Sequence, residues 1–332
     1  MPTRLSAESR GDTATSAVLI TAALVVVALQ LVVLPLVLLP ADPRWGWLLV
    51  PLAATTTPYW SLVHEAIHGS LLPTRRHNDR WGRVLAIGYG APFALLKTGH
   101  LLHHRYSRTR RERSEVYDPA EVGRAGRVGM VAGHYLRLFG GLYLAEVASL
   151  LLLAAPQRLW RWLADRLDAP DTVTGLLLDA VRRRQLRAFR VDAAVVVGAY
   201  AAAAIGYGRH VWMLAAALGA RATLVSLADN AYHYGTRLDA PLEAMNLRLP
   251  RPLEAFVLAF NLHAVHHRHP GLPWHRLRAA LLADGDELHL GWFRAVGRQL
   301  RGPIPLDDPR LAPLGDAPTG PPPLGVGAGG ER

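Results

Sequence analysis

Nine of the fifteen histidines in this 332-residue chain fall into four groups. Residues at i, i+3 and i+4 share one face of a helix, so an HxxHH motif offers three imidazoles to one point and an HxxxH motif offers two. This spacing predicts a metal site. Its residues are His64 and His68; His100, His103 and His104; His233; and His263, His266 and His267.

The number of these ligands favours two ions. Nine imidazoles exceed what one ion binds and divide into four or five for each of two ions. The chain has no cysteine, which excludes thiolate zinc sites and iron–sulfur clusters. Neutral imidazole binds iron, copper, nickel and zinc, and two irons that activate dioxygen fit this ligand number best. The other six histidines are expected to be ordinary surface or core residues.

Apolar runs of membrane-spanning length position these histidines. Residues 17–40 would extend about 36 Å as a helix, and residues 46–63 return and carry His64 and His68 at their far end. Residues 191–207 and 211–228 predict a second hairpin. The expected fold is an all-α integral membrane protein with about four transmembrane helices in two hairpins, interfacial helices and a cytoplasmic helical cap that carries the histidines.

Two other apolar segments are less regular. Glycines and a proline interrupt residues 84–97, which predicts an interfacial or re-entrant segment that leaves His100 on the side where it started. Residues 128–155 contain polar and charged side chains and are predicted to be partly embedded. On this count all nine histidines lie on one side of the membrane, together with the arginine-rich loops.

The charge pattern identifies that side. The net charge of +11 comes mainly from arginines in the loops between apolar runs, so the positive-inside rule places these loops in the cytoplasm. Anionic lipid accounts for this charge better than nucleic acid does. The arginine- and alanine-rich composition indicates a bacterial chain, for which the inner (plasma) membrane is expected. Residues 1–16 are predicted to be a cytoplasmic tail, residues 17–301 the membrane domain, and residues 302–332 a disordered tail rich in proline and glycine.

Three motifs resemble the histidine boxes of the membrane fatty acid desaturase family. They are His64-Glu-Ala-Ile-His68-Gly, His100-Leu-Leu-His103-His104 and Asn261-Leu-His263-Ala-Val-His266-His267. The run Arg268-His-Pro-Gly-Leu-Pro-Trp274 resembles the segment after the third box, and Asp229-Asn-Ala-Tyr-His233 is similar to the extra histidine of the family. The resemblance covers about residues 17–280.

The resemblance implies a non-haem diiron oxidoreductase. Such an enzyme uses O2 and two electrons to remove two hydrogens from an acyl chain in a tunnel beneath the metals, and the substrate would be a membrane lipid or an acyl thioester. The nine histidines would bind two irons, with no further catalytic residue. Asp229 would orient His233 or hold an iron-bound water, although some relatives have Asn there. Glu65 and Asn261 are further candidates for side chains that hydrogen-bond to the metal-binding histidines.

Electrons are expected from a separate protein, a ferredoxin or a cytochrome, because the sequence shows no haem-binding domain or flavin motif. Other functions remain open from the sequence. A diiron hydroxylase or ketolase of carotenoids, sterols or alkanes would use the same metals. His64-Glu65-Ala-Ile-His68 also matches the HExxH motif of zinc proteases, with Glu65 as general base, but leaves both HxxHH motifs unexplained. A metal transporter would instead place histidines along a pore at mid-membrane.

Overall fold

The computed structural model describes residues 13–311, which are mostly helical. Residues 1–12 and 312–332 lie outside this description, and most of both predicted tails falls there. The helices that matter below are, in chain order, α1 Thr13–Ala41, α2 Leu49–Ala54, α3 Thr56–His68, α4 Arg75–Tyr89, α5 Phe93–Tyr106, α6 Arg124–Leu136, α7 Leu142–Ala148, α8 Gln157–Arg166, α9 Thr174–Arg184, α10 Leu186–Tyr207, α11 Val211–Ala231, α12 Arg251–Phe256, α13 His263–Arg268, α14 Trp274–Ala283 and α15 Trp292–Arg298.

The first apolar run and the one that follows it lie antiparallel. α1 widens into a π-helical section that contains Pro35, a residue that has no backbone N–H to donate. The chain turns at Asp42, whose side chain accepts a hydrogen bond from the Arg44 amide at 2.8 Å. It returns through α2 and α3. Ser16 Oγ donates to the Leu71 carbonyl at 2.6 Å, so the start of α1 lies beside the end of α3.

Three helical stretches among the described residues are long and apolar enough to cross a membrane, where the sequence predicts about four spans. They are Thr13–Ala41, Gly126–Leu152 and Leu186–Ala231. The return through α2 and α3 is not among them, because a break near Thr55 divides it into two short helices. Gly126–Leu152 is long enough for a crossing, although its backbone leaves helical geometry at Phe139 and Gly140. The number of four crossings remains a prediction.

The third stretch folds back on itself at Gly208, which has a φ of 50°. Arg221 Nη1 on α11 lies 3.1 Å from Tyr200 Oη on α10. These residues are 21 positions apart in the sequence, so the contact shows that the two helices run antiparallel. Arg221 is buried and also donates to the carbonyls of Gly88 and Tyr89, both at 2.9 Å. These carbonyls are at the C-terminal end of α4, where the helix dipole is negative. Arg221 therefore caps a helix that ends inside the protein.

α4 and α5 form a helical hairpin whose tip is buried. Gly90, with a φ of 99°, ends α4. A Cβ at this position would lie 2.7 Å from Tyr143 Oη, so both its backbone conformation and its surroundings require glycine. Ala91 and Phe93 at the tip are buried. The chain returns along α5, which brings His100 to within 2.8 Å of His68.

Part of the predicted disordered tail is folded. Ile304–Pro305 (β2) pairs in parallel with Val116–Tyr117 (β1), and the Ile304 amide donates to the Glu115 carbonyl at 2.7 Å. The prediction of disorder is therefore wrong for residues 302–311, because backbone hydrogen bonds and burial of Ile304 and Leu311 offset their proline- and glycine-rich composition. Among residues 13–311, this short sheet and three isolated β-bridges depart from the predicted all-α structure.

Candidate metal centre

The first group of histidines joins three helices. His64 and His68 lie on α3, His100 and His104 on α5, and His266 on α13, with their potential ligand atoms all within 4.8 Å of one another. Three pairs of Nε2 atoms face each other: those of His68 and His100 at 2.8 Å, those of His100 and His104 at 3.1 Å, and those of His104 and His266 at 3.0 Å.

The second group lies directly beside the first. It contains His103 from α5, His233 just beyond the end of α11, and His263 and His267 from α13, again with potential ligand atoms within 4.8 Å of one another. The Nε2 atoms of His263 and His267 are 3.1 Å apart. The rings of His267 and His104 stack with centroids 4.4 Å apart, so the two groups share a border.

Each HxxHH helix contributes to both groups, which corrects the expectation that such a motif offers three imidazoles to one point. On α5 the i and i+4 residues belong to the first group and His103, at i+3, to the second. On α13 the i and i+4 residues belong to the second group and His266, at i+3, to the first. Positions i+3 and i+4 differ by about 100° around the helix, so their side chains diverge to either side of the shared face.

The geometry of the donor atoms fits metal ions. Two imidazole nitrogens bound at right angles to one ion at about 2.1 Å lie roughly 3.0 Å apart, and the Nε2 separations above are 2.8–3.1 Å. Among the described residues, Nε2 of His64 and Nε2 of His233 are buried with no hydrogen-bond partner. Buried polar atoms are normally paired, so these nitrogens indicate a missing ligand in each group.

Electrostatics keep most of these histidines neutral, which is the form that binds metal. Burial, together with the neighbouring imidazoles, lowers their pKa values, and burial lowers the pKa of His68 to about 3. The others whose pKa is lowered are His64, His100, His104, His233, His263, His266 and His267.

His103 is the exception. Burial alone would lower its pKa, but Glu112 raises the pKa of His103 to about 9 through a contact of 2.7 Å between Oε1 and the imidazole Nδ1. Because Nδ1 is bonded to Glu112, a metal ion would bind Nε2 of His103, in exchange for the proton that this nitrogen carries below that pKa. Sequence reasoning missed Glu112, because it lies in the irregular loop after α5, where no periodicity indicates which way a side chain points.

Backbone carbonyls orient two further histidines. Nδ1 of His233 lies 3.2 Å from the Glu243 carbonyl oxygen, and Nδ1 of His267 lies 3.4 Å from the Pro241 carbonyl oxygen. The predicted orienting role of Asp229 is therefore wrong for His233, since a loop carbonyl occupies that position. Asp229 is half-buried and close enough to His103 to interact electrostatically with it. Its role in holding a water remains a prediction.

Glu65 and Asn261 hold the peptide segments rather than the imidazoles. The Glu65 carboxylate accepts a hydrogen bond from the Trp274 amide at 3.2 Å, and burial raises its pKa to about 7. Asn261 Nδ2 donates to the Leu247 carbonyl at 2.8 Å and to Glu254 Oε2 at 3.1 Å. Each residue thus fixes a segment next to the third histidine motif, and neither has a described hydrogen bond to a histidine ring.

A large apolar cavity extends towards the second group. It has a volume of about 1010 Å³, runs along α2, α11, α12 and α15, and has Trp47 and Trp212 at the end far from the histidines. Trp292, at its inner end, donates through Nε1 to Tyr232 Oη at 3.1 Å. The Tyr232 ring stacks on His263 with centroids 4.5 Å apart. Trp292 and Tyr232 therefore connect the wall of the cavity with the second histidine group.

Membrane-length helices and two histidine groups that could each hold a metal ion define the class as a histidine-rich membrane protein. A family model described as fatty acid desaturase matches residues 43–294, about three quarters of the chain and all nine clustered histidines. The chain belongs to the fatty acid desaturase family. Comparison with curated proteins and with solved structures finds no significant match.

Proposed function

We propose that this protein is an O2-dependent diiron desaturase that introduces a double bond into a lipid-linked or thioester-linked acyl chain. The observation that carries the proposal is the position of the apolar cavity, whose inner wall contacts the second histidine group through Trp292 and Tyr232. A cavity of this size and apolar lining suits a long hydrocarbon chain.

The histidine groups would hold two irons, five residues for one and four for the other. Bound iron would supply the activation of O2 and the removal of two hydrogens from the substrate. The protein's own residues position the metal ligands: Glu112 and the Glu243 carbonyl fix the ring orientation of His103 and His233.

The setting of the site also belongs to the proposal. We propose that the histidines lie on the cytoplasmic side of a bacterial inner membrane, with the arginine-rich loops, and that a ferredoxin or a cytochrome delivers the electrons. The protease alternative is weakened by two observations. His64 and His68 are grouped with three further histidines, and the carboxylate of Glu65 is bonded to the Trp274 amide rather than directed at the group.

Lipid profiling of cells that express the protein tests this function. We expect a new or enlarged double-bond species with the native chain and none with His104→Ala, while His77→Ala, an exposed histidine outside both groups, behaves as the native chain. An unchanged profile with the native chain in iron-replete, aerated cells counts against a desaturase. Hydroxylated products would indicate the hydroxylase instead, and one zinc with Glu65-dependent peptide hydrolysis would indicate the protease.

A further inference from the structure

A chain of buried aromatic rings leads away from the first histidine group. Trp60, one helical turn before His64, lies edge-on to His100 with ring centroids 6.3 Å apart. Tyr89 follows at 5.2 Å from Trp60, and Tyr143 at 5.2 Å from Tyr89. All three aromatic residues are buried. The rings thus connect a proposed metal ligand with the interior of the helical domain.

The three side chains differ in the hydrogen-bond acceptor that could take up their O–H or N–H proton. Tyr89 Oη donates to Glu146 Oε2 at 3.0 Å. Tyr143 Oη donates to the Tyr89 backbone carbonyl, which is a much weaker base than a carboxylate. The Trp60 indole Nε1 is buried and has no hydrogen-bond partner among the described residues. Tyr89 is therefore the one member of the chain that combines a ring contact with a carboxylate acceptor.

This arrangement has a chemical consequence. An oxidised phenol is a strong acid, so a buried tyrosine gives up an electron readily only when its proton has an acceptor. The guanidinium of Arg221, 2.9 Å from the Tyr89 carbonyl, further disfavours a positive charge on that residue. An oxidised indole is a weaker acid, so Trp60 can pass the charge on without losing its proton. An ionisable residue such as Glu146 within an apolar helix is costly and usually functional.

We propose that Trp60 and Tyr89 form a one-electron relay that protects the metal centre when O2 is activated without an acyl chain in place. This inference rests on the proposed diiron function. Trp60 would give one electron, by way of His100, to the oxidising equivalent that bound iron and O2 supply, and Tyr89 would then give one electron to Trp60. The Tyr89 phenol proton moves to Glu146.

The step balances in electrons and protons. The oxidising equivalent takes up one electron, Tyr89 becomes a neutral phenoxyl radical, and the Glu146 carboxylate becomes a carboxylic acid. Glu146 is a carboxyl in an apolar helix without an ion pair among the described residues, so it is ionised, and the step can run, mainly at alkaline pH. One electron from the donor that serves the reaction, with return of the proton from Glu146, restores the Tyr89 phenol and the Glu146 carboxylate. The relay ends at Tyr89, because its phenol has a carboxylate to take the proton, whereas the phenol of Tyr143 has only a backbone carbonyl.

Electron paramagnetic resonance of freeze-quenched samples tests the relay. The iron-loaded full chain in detergent is reduced and mixed with O2 at alkaline pH, where Glu146 is ionised, in the absence of acyl substrate. We expect a tyrosyl radical in the native protein and its loss in Tyr89→Phe and Trp60→Phe, both of which keep a ring in place. Glu146→Gln keeps the hydrogen-bonding shape but removes the base, and should also lose the tyrosyl signal.

Two matched controls separate a relay from aromatic packing. Tyr143→Phe changes the neighbouring buried tyrosine, and Trp160→Phe changes a fully buried tryptophan that packs on Phe189 in another part of the core. Both should keep the radical. After repeated O2 exposure without substrate, mass spectrometry should find more oxidised Trp60 in Tyr89→Phe than in the native chain.

The outcomes distinguish the two proposals. A native protein that binds no iron and forms no double bond overturns the proposed function. A native protein with iron and desaturation but without a tyrosyl radical overturns the relay alone. Persistence of the radical in Tyr89→Phe, or its loss in Tyr143→Phe, also contradicts the relay as assigned.

Discussion

Nδ1 of His103 lies 2.7 Å from Oε1 of Glu112, in a contact between helix α5 and the loop that follows it. This carboxylate sets the ring of the single histidine that α5 contributes to the second group. Hydrogen-bond partners of this kind fix both the tautomer and the orientation of a metal ligand. Glu112 is therefore the non-histidine side chain whose loss should affect metal binding most directly.

Replacing Glu112 with Gln should weaken metal binding at the second group by about 10- to 100-fold, because the amide cannot accept as strongly from the imidazole. Iron per chain after dialysis against a graded series of chelator concentrations measures this. Glu121→Gln is the matched control, since Glu121 lies in the same loop but is exposed and paired with the exposed Arg110. Equal iron retention in both variants would refute the orienting role of Glu112.

Loss of one histidine from each group should affect mainly its own ion. We expect His266→Ala to lose the ion of the first group and His263→Ala that of the second, each retaining about one iron per chain of the two that the nine ligands imply. Elemental analysis with Mössbauer spectroscopy distinguishes the remaining sites.

His134→Ala is the control for a buried histidine outside both groups. Its Nε2 is 3.0 Å from the Gln299 carbonyl, so its removal should cost about 1–3 kcal/mol of stability without loss of iron. Iron loss in His134→Ala comparable to that in the ligand variants would indicate that metal retention reports only on folding.

The apolar cavity should determine which acyl chains react. Ala215 and Ala216 on α11 are both exposed, but of the two only Ala216 lines the cavity. Ala216→Leu should shift the products towards shorter chains, since the added side chain takes space from the hydrocarbon. Ala215→Leu should leave the profile as it is. Gas chromatography of total fatty acids compares the two variants. An identical shift in both would show that the cavity does not bind the acyl chain.

Stability should depend on pH through Glu254. Burial alone would raise the pKa of Glu254, but hydrogen bonds from Arg278 and Asn261 hold it below the ordinary value of 4.5. The stabilisation is therefore complete above that value and is lost as the pH falls through the lower folded-state pKa. Arg278→Gln should cost about 1–3 kcal/mol at neutral pH, and the difference from the native chain should shrink in acid.

Thermal unfolding monitored by circular dichroism between neutral pH and pH 3 measures this difference. The exposed Arg294 on α15 provides the control, and Arg294→Gln should match the native curve throughout. A destabilisation by Arg278→Gln that stays constant into acid would show that the pair does not titrate as described.

Local patterns in the sequence predict the helices and the histidine motifs, and the resemblance to fatty acid desaturases is confirmed by the family match. These features depend on periodicity and spacing within short segments. The division of each HxxHH motif between two groups is different, because it depends on how α5 and α13 face each other across more than 150 positions.

Contacts made by loop residues are the hardest to predict from the sequence. The Glu243 carbonyl occupies the position expected for Asp229, since the path of the loop after His233 decides which atom reaches the ring. The same reason applies to Ile304, whose pairing with Val116 depends on a distant part of the chain rather than on local composition. Arg221 likewise gains its role from the buried end of α4, a helix far away in sequence.

The sharing of α5 and α13 between the two histidine groups links the assembly of the two metal sites. An ion bound in the first group immobilises both helices and so preorganises the side chains they present to the second group. The second ion should therefore bind more tightly once the first is in place, and each single-histidine variant should hold its remaining ion more weakly than the native chain does. The spacing of the two groups is set by the divergence of positions i+3 and i+4 around α5 and α13, so a shift of either helix moves ligands of both groups together.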